Sequence, residues 1–308
     1  MRRIAAGVLA ILFLFLASTP VWAAVRIEVM GTGLTRRERL EMRHQFGVRQ
    51  DIPAKTVYVT HQQEVQVIRG LASKGQITAK AVAAVYLVPQ RLGYGVHVWT
   101  RNIRYVSGPM YANALTTAGV VDQAIRVHAP YPINGIAAFV DILWGYQAST
   151  GAYISPFQKR VAARELVLTA NLAKHTGQPL RVIETIRLLK EQVAQDHLSR
   201  PSDIRAHLAS DARRESLTLS AQEDTAIIGL MQSIATLKLS AAQLHQQVAG
   251  LRSETLQAHS LWLVLANIWR WLRDHLFGTS GTSSGPHVDG SRSRSIDSRH
   301  RREILVRP

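Results

Sequence analysis

Cysteine is absent from this chain of 308 residues, which excludes a disulfide scaffold, a cysteine nucleophile, zinc ribbons and iron–sulfur clusters. The 12 histidines form no HExxH motif and show no clustered metal spacing. A G-x-S-x-G hydrolase elbow is missing, and Gly31-Thr32-Gly33 lacks both the third glycine of a dinucleotide loop and the lysine of a phosphate loop. No reaction signature stands out, and we expect no cofactor and no metal.

Acidic residues are scarce, with 21 Asp and Glu against 37 Lys and Arg, a formal net charge of +16. Such an excess favours polyanionic partners, namely an anionic membrane surface, a wall polymer or nucleic acid. Four arginines, Arg36, Arg37, Arg39 and Arg43, are close together on a helix predicted to begin at Thr35, which caps it with Glu38. We interpret them as a solvated helical face.

The first 23 residues have the pattern of a cleaved signal peptide. Arg2 and Arg3 precede an apolar run from Ile4 to Ala17, and Val21 and Ala23 stand at −3 and −1 of a cut before Ala24. The alternative is an uncleaved N-terminal anchor. We expect a secreted or extracytoplasmic protein of the cell envelope, periplasmic if the host has an outer membrane, for which specific nucleic-acid recognition is not expected.

Residues 24–152 alternate between strand and helix patterns, which predicts an α+β domain with a mixed sheet and packed helices. The pattern does not reveal the strand order. The predicted strands include Val25–Val29, Thr56–Thr60, Val96–Val106 and Ala124–His128. The predicted helices include those that begin at Thr35, at His61, at Ser107-Gly108-Pro109 and at Ile136.

Residues 153–277 are predicted to be helical throughout, and the Gly-, Ser- and Arg-rich tail 278–308 is predicted to be disordered. From Ile227 the apolar residues follow a heptad, which suits a coiled coil. A second capping box, Ser240 with Gln243, makes two antiparallel helices joined near Lys238–Ser240 the alternative to one long helix over 219–277. The heptad is compatible with packing within the chain and with a homo-oligomer.

The order of segments resembles the secreted bacterial proteins of a domain-of-unknown-function family, DUF1002, also called YpuA-like. The residues that carry the resemblance are Gly33-Leu34-Thr35 with Phe46-Gly47, Gln76 to Ala81, Asn102-Ile103 with Met110 to Val120, Val127 to Gly135, Glu165 to Thr169, and the helix–turn–helix 219–251. The resemblance implies export, a signal peptide and an α+β part followed by a helical part. It implies no chemistry. The arginine excess, the Arg/Ser tail and His128 depart from the usual family pattern.

Asn102, Tyr111, Asn113 and His128 are the candidate ligand-binding residues, because they are polar groups within the segments that carry the resemblance. Their alternative role is to make hydrogen bonds within turns and helix faces. His97 and His128 lie on strand-like segments and define a second hypothesis, an extracytoplasmic hydrolase with its site between them and a carboxylate.

Tryptophan and arginine are concentrated near the C-terminus, where three of the six tryptophans lie within ten residues. Trp262, Trp269 and Trp271 with Arg270 and Arg273 suit a membrane-interface helix, with indoles at the headgroup level and guanidinium groups on anionic lipid. The alternative is a helix that docks its tryptophan side on the helical region. The sequence thus predicts an exported, envelope-associated, non-enzymatic binding protein.

Overall fold

Five strands of the computed structural model, which describes residues 25–47 and 53–247, form one mixed sheet in the order β2–β1–β3–β5–β4. The strands are β1 (Ile27–Gly31), β2 (Lys55–Val59), β3 (Ala84–Pro89), β4 (Val96–Ile103) and β5 (Gln123–Ile133). The named helices are α1 (Arg36–Phe46), α2 (His61–Ile68), α3 (Gly108–Thr117), α4 (Ala138–Thr150), α5 (Pro156–Thr176), α6 (Pro179–Gln195), α7 (Pro201–Arg214) and α8 (Ala221–Ala235). The predicted α+β sheet followed by a helical region is confirmed.

The sheet consists of two parallel strand pairs, which are joined by a central strand that runs antiparallel to its neighbours. β1 pairs with β2 in parallel and β4 with β5 in parallel, whereas β3 runs antiparallel to both β1 and β5. Parallel neighbours need a crossover, and α1 and α3 provide the two crossovers. Each pair is therefore one βαβ unit, and β3 joins the two units into a single sheet.

The two faces of the sheet are covered unequally. Phe46 at the end of α1 stacks on Tyr86 and packs at a tilt against His128, whereas Gly145 of α4 lies against the side chains of Val29 and Leu87. Since successive side chains of a strand point to opposite faces, Tyr86 and Leu87 identify an α1 face and an α4 face. On the α4 face, α2 and α5 pack beside α4, and α3 packs on β4 and α5. Among the described helices, α1 is the one that covers the α1 face, and residues at the margins of this face, such as Tyr58 and Trp99, are exposed.

The hydrophobic core of the sheet extends into the helical region. Leu166 and Ala170 of α5 and Ile183 of α6 belong to the same buried cluster as the strands. Val161 and Leu172, also on α5, belong to a second cluster shared with α6, α7 and α8. The helix α5 therefore has one side in each core, and the domain boundary at 152–153 stays a prediction.

The prediction of one long helix over 219–277 is wrong, because the helix is interrupted within the described part of the chain. The helix α8 ends at Ala235, Lys238 adopts a left-handed backbone with φ of 51°, and helix resumes at residue 241. The predicted cap is present, because Gln243 N donates to Ser240 Oγ at 3.3 Å. Ile227, Leu230 and Ile234 are buried in the second cluster, so this part of the heptad packs within the chain.

Among residues 25–47 and 53–247, no helix combines the length and the apolarity that a membrane crossing requires. The predicted signal peptide and the predicted disordered tail lie outside those residues, as do the heptad positions beyond Gln247.

Candidate functional site

A basic cavity lies between α1 and the sheet edge formed by β2. It has a volume of about 250 Å³, and we call it the arginine groove. Its lining residues are Met30, Arg36, Arg39, Leu40, Arg43 and Tyr58. The three arginines occupy positions i, i+3 and i+7 of the helix, which places them along one side of α1. Within the described residues, the lining contains no acidic side chain.

The local sequence fixes where α1 begins and so where its arginines lie. Thr35 N donates to Glu38 Oε2 at 2.7 Å, and Glu38 N donates to Thr35 Oγ1 at 3.2 Å, which completes the predicted capping box. Arg39 Nη1 donates to the carbonyl oxygen of Leu34 at 2.5 Å, and its guanidinium carbon lies 6.0 Å from the ring centroid of Tyr58. The carbonyl oxygen of Leu34 and the ring of Tyr58 together orient the Arg39 side chain at the groove.

A buried carboxylate anchors the third arginine. Arg43 Nε donates to Glu28 Oε2 at 2.8 Å, and Arg43 Nη2 donates to Thr56 Oγ1 at 3.0 Å. Glu28 is buried on β1, and its negative charge is therefore compensated by one of the three guanidinium groups. The groove and Glu28 together carry a net charge of about +2, which is the electrostatic character of an anion site.

The interpretation of the four arginines as a solvated helical face is incomplete. All three groove arginines are partly or fully exposed, but they also form a wall opposite Tyr58, which a helix alone does not provide. Arg37 is exposed and does not line the groove, so the original interpretation fits that residue. The sequence did not indicate that β2 lies beside α1, and this neighbouring strand supplies Tyr58 as the opposite wall of the groove.

The structure does not bring His97 and His128 together. Both lie on the α1 face, but His97 is paired with Ala124 and His128 with Arg101, a separation of four residues along the strands. At about 3.3 Å per residue this is roughly 13 Å, too far for a proton to pass directly between the two rings. His97 Nε2 lies 3.0 Å from the carbonyl oxygen of Tyr94. The geometry gives the hydrolase hypothesis no support.

His128 is a buried ring in a cationic environment. It packs against Phe46 at a centroid distance of 4.7 Å, and its Nδ1 has no hydrogen-bond partner within the described residues. Burial, with Arg101 and Arg126 nearby, lowers the pKa of His128 to about 4, so the ring is neutral at physiological pH. A neutral imidazole packed against an aromatic ring is typical of a core position.

Asn102 and Tyr111 make structural hydrogen bonds. Asn102 has a φ of 60° at the irregularity between Arg101 and Ile103, and its Nδ2 donates to the carbonyl oxygen of Ala129 at 2.8 Å. Tyr111 is fully buried, and its hydroxyl donates to the carbonyl oxygen of Gly135 at 2.5 Å. Both contacts match the structural alternative given for these residues, and neither side chain lines the groove.

Asn113 is adjacent to a buried ion pair that the sequence did not indicate. Lys190 Nζ donates to Glu165 Oε1 at 2.8 Å and to the backbone oxygen of Asn113 at 2.6 Å. It also donates to the hydroxyl oxygens of Thr116 and Thr117 at 3.1 and 3.0 Å. The Asn113 side chain has no hydrogen-bond partner among the described residues. This network joins α3, α5 and α6 at the meeting of the two cores.

A second buried polar pair lies under α4. Glu64 of α2 and Asp141 of α4 are almost fully buried, and neither carboxyl oxygen of Asp141 has a hydrogen-bond partner within the described part of the chain. Burial raises the pKa of Glu64 to about 7, against the opposing effect of His61 at 3.3 Å. Burial, and then the neighbouring Glu64, raise the pKa of Asp141 well above its ordinary value. The folded environment therefore favours the neutral form of Asp141.

Across residues 25–47 and 53–247, no cluster of three His, Asp or Glu side chains has the arrangement of a metal site. The proposed membrane-interface residues Trp262, Trp269, Arg270, Trp271 and Arg273 lie outside the described residues, and their role stays a proposal.

One signal in the sequence points to a basic surface around β4, although not to the groove, whose arginines precede the segment concerned. Between Glu64 and Asp122 there is no acidic residue in positions 65–121, which contain six basic ones. Since Glu64 and Asp122 are themselves buried, the exposed charges contributed by this segment are all cationic. A count by segment, rather than over the whole domain, shows that residues 65–121 contribute only basic charge.

Comparison with known proteins gives a family but no chemistry. A family model described as "Protein of unknown function (DUF1002)" matches residues 30–251. The chain is similar to the "Uncharacterized protein YpuA" of Bacillus subtilis (strain 168), with 28% identity over 223 residues, which are 72% of this chain and 76% of that protein. No solved structure matches the chain. Because the family match spans most of the α+β part and the helices that follow, the chain belongs to the DUF1002 family.

Proposed function

We propose that this protein is an exported, non-enzymatic binding protein of the cell envelope, and that its arginine groove binds the phosphate or carboxylate groups of an anionic polymer. The observation that supports the proposal is the lining of the groove, in which three arginines and a tyrosine surround a cavity of about 250 Å³ without an acidic residue among the described lining. Guanidinium groups bind such oxyanions in a bidentate manner.

The groove is built on well-supported elements, which favours binding over a merely solvated surface. Arg43 is held by Glu28 and Thr56, and Arg39 by Leu34 and Tyr58. Side chains that are already oriented lose less conformational entropy when a ligand binds. Arg36 is exposed beside them and completes the basic wall.

A non-enzymatic role agrees with the position of the carboxyl groups. Glu64 and Asp141, the acids with the largest pKa perturbation toward neutrality, lie almost fully buried under the helices and away from the groove lining. General acid or base catalysis requires reach to a substrate proton, which these buried groups lack.

We expect the double substitution R36Q/R39Q to weaken the binding of inorganic polyphosphate by about 30-fold, from about 1 kcal/mol for each arginine. Isothermal titration calorimetry at several salt concentrations measures this, and the dependence on salt should also become less steep. Arg43 is left intact because it compensates the buried charge of Glu28.

The matched control is R205Q/R213Q, which removes the same charge from two exposed arginines of α7. That variant should lose less than threefold in affinity, because its arginines act through the net charge alone. Equal losses for the two double variants would contradict a defined groove and would leave only a diffuse basic surface.

Export is tested separately from binding, because the prediction of export depends on the first 23 residues and not on the arginine groove. N-terminal sequencing of the protein recovered outside the cytoplasm should give a sequence that begins at or near Ala24, as the −3 and −1 residues Val21 and Ala23 predict. Recovery of a chain that begins at Met1 would favour an uncleaved anchor.

A further inference from the structure

Aromatic rings form a row along the edge strand β4 and the turn before it, on the far side of α1 from the arginine groove. The centroids of Tyr94 and His97 are 4.7 Å apart, and those of His97 and Trp99 are 6.1 Å apart with the ring planes within 18° of parallel. We call these three residues the aromatic row. Trp99 is 44% exposed, a large fraction for an indole in a sheet.

Two arginines flank the exposed indole. Trp99 is paired with Arg126 on β5, and Arg101 is the next residue on the same side of β4. Arg126 Nη1 donates to the carbonyl oxygen of Phe46 at 2.6 Å, which fixes the guanidinium between the end of α1 and the aromatic row. Both arginines are exposed. The surface thus combines a flat apolar ring with two positive charges.

The charge of the surrounding segment has one sign. The aromatic row and Arg101 lie within positions 65–121, where there is no acidic residue. The next acid, Asp122, is buried and is bound by Gly95 N and by Gln247 Nε2, at 3.0 and 3.2 Å. A partner that fits this surface therefore has negative charge as well as an apolar face.

From this juxtaposition we propose that the aromatic row is a binding site for the sugar rings of an anionic glycan, with a ring stacked on Trp99 and its acidic group on Arg126 or Arg101. The C–H face of a pyranose ring is apolar and flat, and burying it on an indole stabilises the complex in the same way as other aromatic contacts. The carboxylate or phosphate of the same sugar accepts hydrogen bonds from guanidinium.

This site stands on observations separate from those of the arginine groove. The groove offers charge, whereas the aromatic row offers charge next to an exposed ring. The two flank α1 on the same face of the sheet, so a long anionic glycan has access to both. The row narrows the class of the polymer from any polyanion to one that contains sugar rings.

Three probes separate ring from charge in an equilibrium binding experiment on the purified protein. Oligogalacturonate has pyranose rings and carboxylates, inorganic polyphosphate has charge without rings, and maltohexaose has rings without charge. We expect W99A to weaken oligogalacturonate binding about tenfold, the usual scale for loss of one aromatic stacking contact. The affinity of W99A for polyphosphate should change less than twofold, and maltohexaose should bind weakly to every form.

Two further variants test whether an aromatic ring at position 99 is what the glycan requires. W99F keeps an aromatic ring and should retain affinity for oligogalacturonate within about threefold, whereas Y153A removes an aromatic ring exposed elsewhere, at the α4–α5 link, and should have no effect. R36Q/R39Q should weaken both anionic probes. A failure of the groove alone therefore appears as normal polyphosphate binding in R36Q/R39Q, and a failure of the row alone as normal oligogalacturonate binding in W99A.

A second copy of this chain is the alternative occupant of an exposed edge strand. Analytical ultracentrifugation of the wild type and W99A identifies that outcome. A wild-type dimer that W99A converts to a monomer would overturn the glycan site, as would wild-type affinity of W99A for oligogalacturonate.

Discussion

Replacing Lys190 with methionine is expected to lower the free energy of unfolding by about 3–5 kcal/mol. The ammonium group is 1% exposed and pairs with Glu165, which is equally buried. Burial lowers the pKa of Lys190, whereas Glu165 opposes that shift by favouring the charged form. Methionine removes the ammonium donor from the Glu165 carboxylate, two threonine hydroxyls and the Asn113 carbonyl oxygen. Thr117 Oγ1 still donates to Glu165 Oε2, but no cation then compensates the buried carboxylate. Urea denaturation followed by circular dichroism at pH 7 measures the loss.

The buried pair, rather than the size of the side chain, should account for most of that loss. The double variant K190M/E165Q removes both charges and should recover at least half of the stability. K174M removes an exposed lysine of α5, whose Nζ lies 5.9 Å from the ring centroid of Tyr105, and should cost less than about 1 kcal/mol. A loss below about 1 kcal/mol for K190M would show that the pair does not hold the two cores together.

Replacing Asp141 with asparagine is expected to stabilise the protein by about 1–3 kcal/mol at pH 8, an effect in the opposite direction. In the folded state the pKa of Asp141 is raised by burial and by Glu64, so the native carboxyl keeps its proton to a higher pH than the unfolded one. In the unfolded state it is ionised above its ordinary pKa. The native state therefore binds more protons, and stability falls as the pH rises above the unfolded pKa. Asparagine is neutral in both states and removes this loss.

The dependence on pH distinguishes this explanation from a change in packing. Glu64, whose pKa is raised from 4.5 to about 7, makes the wild type lose stability in the same direction between about pH 4.5 and 7. Because the cost of burying Asp141 grows as the pH rises, D141N should increase the free energy of unfolding more at pH 8 than at pH 5, as urea denaturation measures. D196N, at the exposed end of α6, is the matched control and should show no such gain. A variant that is destabilised equally at both pH values would contradict a neutral, buried Asp141.

Local features of the fold could be predicted from the sequence. The capping box of Thr35 and Glu38 and the cap at Ser240 both form as predicted, because they depend on residues three positions apart. The strand predicted over Val96–Val106 ends at Ile103, since Asn102 takes a left-handed backbone and interrupts the pairing. The alternation along residues 24–152 was sufficient to predict a mixed sheet with helices.

Features that depend on distant segments could not be predicted. The groove exists because β2 lies beside α1, and the strand order that places it there has no local signature. Lys190 and Asp141 interrupt otherwise apolar helix faces, which was a visible signal, but their partners Glu165 and Glu64 are far away in the sequence. His97 and His128 illustrate the opposite error, since residues on neighbouring strands still lie apart when the register separates them.

The most direct test of the arginine groove is a titration of arginine side chains observed by nuclear magnetic resonance. Protein labelled at Nε is titrated with inorganic polyphosphate at about 150 mM salt, where diffuse attraction is screened beyond about 8 Å. The Nε–H signals of Arg36, Arg39 and Arg43, assigned by substitution, should shift and saturate before those of Arg205 and Arg213 on α7. Signals of the α7 arginines that shift first, or all signals shifting together, would contradict a defined anion site between α1 and β2.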